Sequence, residues 1–383
     1  MINELNTNAI TVVKADNGKR LNDFLDLPDR IYETLPQYVP DYRSDVLALF
    51  DERRNAGLAF SAVQPFVAYR GNEAVGRVVG VVNRKANATW QTQVVRFSMI
   101  EFVDDVQVAK ALLDTVADWG RQQGMDRIQG PMGITDFDKE GMLVEDFQLT
   151  GSMTAYYNPD YYPRHLEQLG FKKEVDWLQV RIQIPQEVPA KYVRVAQYAR
   201  ETVGLTVRKV SRKAVLKGGY GRKIFNLLNE AYAPIFGFSK LTDEQADSFL
   251  NKYVPLLDME LVPLIENAEG ELVGIAVTLP SLASALQKSR GRLWPWGWYH
   301  LLRAMLWKRE DSVEMLLVAV RPDYQGLGVN ALFFDDLIPI YNKKGITWAE
   351  TGPQLEDNMR ELTQWKPLGP AFVKRRRCYT RSL

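Results

Sequence analysis

A glycine-rich turn, Gln325-Gly-Leu-Gly328, stands between an apolar run and an amphipathic segment. The run Met315–Val320 predicts a buried strand, and Val329–Tyr341 predicts a helix. Glycine lets the main chain approach a ligand without an intervening Cβ. The N–H groups and the dipole at a helix N-terminus attract anions. This order of residue types predicts a loop that binds an anion. The loop residues expected to contact the anion are Gln325, Gly326, Leu327, Gly328 and Val329.

Two common phosphate-binding motifs do not fit this loop. A Walker A loop would continue into Gly-Lys-Ser/Thr, and a dinucleotide fingerprint would have a third glycine. The full pattern Val-x-Pro-x-x-Gln-Gly-x-Gly-Val, from Val320 to Val329, instead resembles the pyrophosphate-binding motif of the GNAT acetyltransferase superfamily. The resemblance implies acetyl-CoA, or another acyl-CoA, as co-substrate. It also implies that the pantetheine pairs with the backbone of Val318 and Val320.

The same resemblance implies transfer of an acyl group to an amine by direct attack. An amine with a pKa near that of lysine must first lose a proton, so a base or a water chain is needed. Glu350, just before a Gly-Pro pair, is the candidate base, although it could also be a solvated acid at a strand end. Such enzymes often carry a tyrosine seven residues after a helix asparagine. Counting from Asn358 gives Trp365 instead. Tyr324 is therefore a weak substitute as general acid, and Asn358 either bonds the pantetheine or caps its helix.

A repeat extends over much of the chain. Pro322–Gly345 matches Glu101–Gly124 without a gap, since 345 − 322 and 124 − 101 are both 23. Each segment runs on into a Gly-Pro pair, at Gly130-Pro131 and Gly352-Pro353. The shared order of these features predicts a duplicated domain.

The fold expected from this pattern is α/β, in the α+β sense of a mixed sheet, built as two tandem GNAT-like domains. Strands that alternate with helices and hairpins indicate such a sheet. We expect a degenerate copy over residues 1–185 and an acetyl-CoA-binding copy over 186–383. The second copy has predicted strands near 205–210, 259–266, 271–279, 313–320, 346–351 and 371–380. Its predicted helices lie near 219–232, 242–253, 328–343 and 356–365.

The first copy differs where the coenzyme would bind. On the gap-free alignment, Gln325 and Gly326 fall on Asp104 and Asp105. Two carboxylates would repel a pyrophosphate, so the first copy is predicted to have lost coenzyme binding. It carries instead an insertion over 132–157. That insertion could clamp the domains together or line an acceptor site, since a loop this long usually has a role.

A second insertion, over 281–311, holds four of the nine tryptophans. Within it, Trp294–Trp307 combines aromatic residues with lysine and arginine. Three roles are open: packing against the rest of the protein, forming a wall for the acceptor or acyl chain, and contacting a membrane interface.

Composition narrows the classes of function. The 383 residues carry a net charge of +1, so no overall field favours nucleic acid. One cysteine and two histidines disfavour a disulfide framework or a metal site. No signal core or apolar span is evident, which predicts a cytoplasmic protein. The preferred hypothesis is an N-acyltransferase that acts on a small-molecule or peptide amine. The alternatives are a non-catalytic acyl-CoA sensor and a membrane-surface interaction protein.

Overall fold

The computed structural model describes residues 9–306 and 310–383, without the side chains of residues 306, 360 and 361. Its strands are β1 Ile10–Lys14, β2 Ser61–Arg70, β3 Glu73–Asn83, β4 Val94–Phe102, β5 Arg127–Gly130, β6 Met142–Leu143, β7 Lys172–Gln183, β8 Thr206–Arg208, β9 Leu264–Glu266, β10 Leu272–Pro280, β11 Ser312–Val320, β12 Trp348–Thr351, β13 Gln354–Leu355 and β14 Ala371–Ser382. Its helices are α1 Gly18–Ile31, α2 Arg43–Ala48, α3 Arg84–Trp90, α4 Val106–Gln122, α5 Tyr161–Gln168, α6 Ala190–Glu201, α7 Arg212–Lys217, α8 Tyr220–Ala231, α9 Asp243–Tyr253, α10 Ala283–Ser289, α11 Gly297–Leu306, α12 Val329–Lys343 and α13 Met359–Gln364.

The chain forms two compact units that do not follow a single cut. The first unit runs to Trp177 and adds Ala283–Trp298 and Lys374–Leu383, and the second holds Leu178–Leu282 and Tyr299–Val373. The division falls inside β7 and β14. The domain boundary near residue 185 stays a prediction.

Both units have the same sheet topology. In the first, neighbours run β1-β2-β3-β4-β5-β14 and in the second β8-β9-β10-β11-β12-β7. The single parallel pair along each path is β4 with β5 and β11 with β12, and the other described pairs are antiparallel. The predicted mixed sheet and the predicted duplication are both confirmed.

Equivalent glycines fix the register of the two copies. A Cβ on Gly76 would meet Leu112 at 2.7 Å and Val108 at 2.8 Å. A Cβ on Gly274 would meet Val329 at 2.6 Å and Phe333 at 3.2 Å. Each glycine lets a helix, α4 or α12, lie close against its hairpin. Val108 therefore corresponds to Val329, as the sequence alignment predicts.

The gap-free match fails in the loop before these helices. Residues 103–105 connect β4 to α4, whereas residues 321–328 connect β11 to α12. Val103 and Arg321 occupy equivalent places, because their N–H groups donate to Val75 and Val273 of equivalent hairpins. From Arg321 to Val329 is eight residues and from Val103 to Val108 is five, so the second copy has three extra residues at this loop and the gap-free match does not extend back into β11. Counting back from Val329 and Val108 still pairs Gln325 with Asp104, and that pairing stays a prediction.

No helix within residues 9–306 or 310–383 combines the length and apolar character that a membrane span requires.

Candidate active site

Strands β11 and β12 diverge in the second unit. They pair in parallel from Ser312 opposite Trp348 to Met315 opposite Thr351. The Gly352 N–H donates to Met315 O at 2.9 Å, and the pairing ends there. Strand β11 continues to Val320 with only β10 beside it in the described part of the chain. Its last five residues therefore present an open main-chain edge.

A β-bulge turns this edge. Val277 lies opposite Leu317 and Thr278 opposite Met315, which leaves Leu316 as the extra residue. Bulges bend a strand and redirect its groups, so the bulge helps β11 leave β12. The side chains of residues 315–318 are only partly buried, as expected beside a cleft rather than in a closed sheet.

Val318 and Val320 direct their main-chain groups toward the open side. The Arg321 N–H bonds back to β10, and main-chain groups alternate sides along a strand. On the open side, Val318 O accepts a hydrogen bond from Tyr232 Oη at 2.9 Å. Val320 O accepts one from Gln325 Nε2 at 3.3 Å. The two valines thus lie on the edge where the family resemblance puts the pantetheine.

The loop after β11 has the conformation that its glycines allow. Gly326 and Gly328 have φ of 83° and 93°, where side chains with a Cβ are strained. A Cβ on Gly326 would meet open space, whereas one on Gly328 would lie 3.0 Å from Ala199 Cβ. Gly328 therefore serves both the turn and close packing of α12 on α6.

The N-terminus of α12 carries no side-chain cap. Gly328 is its N-cap residue and has no side-chain hydrogen bond to give. The first N–H groups of a helix have no partner within the helix, so those of Val329 and its neighbours are left without one at the end of the glycine loop. Uncapped N–H groups beside a glycine loop form an anion-binding arrangement.

Arg321 opens the loop but is already paired. Its guanidinium bonds both carboxylate oxygens of Asp323, at 2.8 and 3.0 Å, and Glu271 at 3.0 Å. The hydrogen bonds to Asp323 raise the pKa of Arg321 above its usual value. The guanidinium also lies 4.6 Å from the centre of the Tyr324 ring. This pairing stiffens the loop.

Tyr324 lies within the glycine loop. Its hydroxyl accepts a hydrogen bond from Asn267 Nδ2 at 3.1 Å. Asn267 follows β9, on the side of the unit away from β12. This position does not favour Tyr324 as the acid for a thiolate near the bulge, and that role stays a prediction.

Glu350 is buried, with 4% of its surface exposed. Arg181 donates to Oε2 through Nη2 at 2.7 Å and through Nε at 3.2 Å, and Gln179 Nε2 donates to Oε1 at 3.2 Å. The Arg181 guanidinium lies 4.5 Å from the ring centre of Trp348. To take a proton, the carboxylate would have to give up this ion pair. Glu350 therefore braces β12 against β7, and its role as general base remains untested.

Asn358 and Trp365 flank the last helix. Asn358 is exposed, and its O accepts from Leu362 N at 3.1 Å, so it begins α13. Trp365 is only 4% exposed and packs edge-on against Phe334, and its Nε1 donates to Gln354 at 3.2 Å. Trp365 is thus a core residue and has no acidic proton to offer a thiolate. A contact between Asn358 and the coenzyme stays a prediction.

The equivalent region of the first unit is filled. Asp105 caps α4 by accepting from Gln107 N at 2.8 Å, and it also pairs with Arg70. The Phe102 main chain bonds two tyrosines, since Tyr162 Oη accepts from its N–H at 2.8 Å and Tyr161 Oη donates to its O at 2.7 Å. A helix N-terminus that already holds a carboxylate would repel a pyrophosphate, and the loss of coenzyme binding in the first copy stays a prediction.

The insertion over 132–157 packs within the first unit. Its β6 pairs with β14, and the Asn158 side chain bonds Leu143 N at 2.7 Å and Leu143 O at 3.0 Å. Burial raises the pKa of Asp136 to about 7 and raises that of Glu140 well above its usual value. Among the described residues, Asp136 Oδ1 and Glu140 Oε1 have no hydrogen-bond partner. Neither the clamping role nor the acceptor role is tested by these contacts.

Sequence reasoning missed Tyr232. It follows α8, and its hydroxyl is a side-chain donor on the open edge of β11. The available signal was a tyrosine at the end of a well-predicted amphipathic helix. That signal gives no indication of the strand that the hydroxyl reaches. Cys378 is fully buried, and burial raises the pKa of its thiol well above the usual value, which disfavours a reactive thiolate.

The two matching topologies, one with an open edge and a glycine loop, define a tandem GNAT architecture. A solved structure described as a tandem GNAT protein from the clavulanic acid biosynthesis pathway, without acetyl-CoA, matches with a TM-score of 0.57 at 12% identity. The match covers 98% of each chain. The chain therefore has the fold of GNAT-type acyltransferases.

Two proteins of known sequence are similar along most of their length. Protein YghO of Escherichia coli K12 is 25% identical over 383 residues, which cover 96% of this chain and 94% of that protein. The bacterial ceramide synthase of Caulobacter vibrioides is 25% identical over 324 residues, which cover 83% of each. No family model matches the sequence.

Proposed function

We propose that this protein transfers an acyl group from acyl-CoA to the amine of an acceptor, with the coenzyme held by the second unit. The observation that carries the proposal is the open edge of β11, which leads directly into an uncapped helix N-terminus. The pantetheine would pair with Val318 and Val320. The pyrophosphate would rest on the loop from Gln325 to Val329, and Asn358 is a further contact.

The reaction requires a neutral amine, support for the oxyanion and a proton for the thiolate. We propose that main-chain N–H groups at the Leu316 bulge stabilise the oxyanion, since the bulge lies where β11 leaves β12 and fixed donors need no reorganisation. We propose Tyr232 as the proton donor in preference to Tyr324, because its hydroxyl stands on the open edge itself. Glu350 would act as base only if substrate binding freed it from Arg181.

A long-chain amino alcohol is the acceptor to test first. The similarity to a bacterial ceramide synthase supports this choice, because a ceramide is the N-acyl derivative of such an amine. The donor would then be a long-chain acyl-CoA rather than acetyl-CoA. A small polar amine or a peptide amine with acetyl-CoA is the comparison. We keep the cytoplasm as the proposed compartment.

Thiol release from acetyl-CoA and palmitoyl-CoA, measured with sphinganine, spermidine and a lysine peptide, tests the function. We expect amine-dependent release with at least one pair of substrates. Tyr232→Phe should lower turnover at least about tenfold, since a general acid typically contributes more than that. Its coenzyme affinity should stay within about threefold, because only one hydrogen bond is lost.

The sensor hypothesis predicts a different result. A sensor would bind the coenzyme tightly and release no thiol with any amine. A Tyr232→Phe variant with wild-type turnover would show that the hydroxyl only supports the strand. Tyr324→Phe is the matched control, because it removes a hydroxyl from the same unit without reaching β11.

A further inference from the structure

The second insertion is rich in positively charged side chains. Between Ser281 and Arg309 the sequence has six lysines and arginines and no aspartate or glutamate. The whole chain carries a net charge of only +1, so this segment is a local concentration of positive charge. The same segment holds four of the nine tryptophans.

The large apolar side chains at the turn within this insertion are exposed. Trp294 has 80% of its surface exposed, Trp296 68%, Trp298 42% and Leu293 37%. Packing therefore does not account for Trp294 and Trp296, although it was one of the roles left open by the sequence. Trp307 lies outside the described residues. A cluster of exposed large apolar side chains marks an interaction site more often than isolated ones do.

The turn that presents these indoles is fixed to the first unit. Gln287 Nε2 donates to Pro36 O at 2.7 Å and to Tyr38 O at 3.0 Å. Arg43 N–H donates to Gly291 O at 3.0 Å. These bonds hold the base of the turn and do not involve Trp294 or Trp296.

The tip itself is also ordered by hydrogen bonds. Trp298 N–H donates to Leu293 O at 2.9 Å, and Trp298 Nε1 donates to Pro295 O at 2.9 Å. A preformed surface loses less entropy on binding than a flexible one. The indoles of Trp294 and Trp296 are therefore available for a contact that the fold does not use.

Positive charge accompanies the indoles within the same unit. Lys288, Arg290 and Arg292 are exposed. Arg292 is partly compensated by Asp26 at 3.3 Å and Asp29 at 3.1 Å. Tryptophan beside lysine and arginine matches the boundary between lipid headgroups and acyl chains.

We propose that this turn, from Lys288 to Trp298, docks the protein on the surface of a membrane rich in anionic phospholipid. The indoles would enter the headgroup region, and the cations would contact lipid phosphates. A second copy of the chain fits less well, because a two-fold contact would oppose the same positive charges. This inference does not depend on acyl transfer, since a coenzyme sensor could use the same surface.

Co-sedimentation of the full-length protein with vesicles tests the proposal. We expect binding to vesicles of phosphatidylglycerol and phosphatidylcholine, weaker binding to pure phosphatidylcholine, and a decrease with salt. Trp294→Ser/Trp296→Ser should weaken binding at least about tenfold, because burying one large apolar side chain contributes about that much. Both positions are exposed, so the variant should fold, as its circular dichroism can verify.

Trp90→Ser is the matched control, since Trp90 is exposed to 37% elsewhere in the first unit. It should bind vesicles like the wild type. The proposal is overturned if the wild type does not bind anionic vesicles, or if the double variant binds as tightly as the wild type. A double variant that loses self-association, with no vesicle binding by the wild type, would point to a second copy instead. Coenzyme binding is measured separately, so its failure would be distinguishable.

Discussion

Asp105 and Gly328 are the N-cap residues of α4 and α12, and we expect them to give those termini opposite affinities for an anion. The aspartate fills its own helix end with a carboxylate, which bonds Gln107 N–H and pairs with Arg70. The glycine leaves the helix end open. The type of the N-cap residue thus distinguishes the stabilised N-terminus of α4 from the candidate binding site at the N-terminus of α12.

The N-cap formed by Asp105 should stabilise the folded protein. Asp105→Ala should lower the free energy of unfolding by about 1–2 kcal/mol, because it removes an N-cap and a partly exposed ion pair. Coenzyme affinity should not change, since the first copy is not expected to bind it. Urea unfolding and calorimetry measure the two effects.

Asp104→Ala is the control for that measurement. Its carboxylate, 62% exposed, pairs with His165 at 2.7 Å, and an exposed pair contributes less than about 1 kcal/mol. Equal losses for Asp104→Ala and Asp105→Ala would show that the cap does not matter.

Residue roles could be predicted from sequence only where neighbours in the chain decide them. The glycine loop follows from local pattern, and the structure gives it the expected strand and helix. The role of Glu350 does not follow from local pattern, because its hydrogen-bond partners Gln179 and Arg181 are 171 and 169 residues away in the chain. Tyr232 was missed for the same reason.

At the scale of elements, the insertion over 132–157 brings the partly buried Asp136 and the buried Glu140 into the first unit. Burial raises the pKa of Asp136 to about 7, Arg96 opposes this, and Asp138 adds to it. Its folded-state pKa thus lies above the usual value of 3.8. The protonated form is favoured in the folded protein, so stability from this group is complete at low pH and is lost as the pH rises through about 7.

The free energy of unfolding should therefore fall between pH 5 and pH 8. Asp136→Asn keeps the neutral shape and should reduce that fall by about 2–3 kcal/mol, since one pKa unit corresponds to about 1.4 kcal/mol. Urea unfolding at the two pH values measures the difference. Asp118→Asn, on an exposed side of α4, should behave like the wild type. An identical pH dependence in Asp136→Asn would show that Asp136 ionises without cost.

For the whole molecule, the duplication could be predicted but the strand that completes each sheet could not. The order of elements in each copy follows from local sequence patterns, and the mixed sheet predicted from that order is confirmed. The edge of each unit is instead completed by a distant segment: β14 pairs with β5, and β7 pairs with β12. Such pairing depends on which unpaired strand edges come together in the fold, and no periodic pattern in the sequence predicts it.

We expect one coenzyme site per chain, on the glycine loop of the second unit. Titration calorimetry with acyl-CoA measures both stoichiometry and affinity. Gly326→Glu should weaken binding at least about tenfold, because it adds a like charge beside the pyrophosphate. Gly345→Glu is the matched control at the other end of α12, with a similar φ of 72° and equally open space.

The predicted result is one molecule bound per chain, lost in Gly326→Glu and kept in Gly345→Glu. No binding by the wild type, two sites per chain, or unchanged affinity in Gly326→Glu would contradict the account.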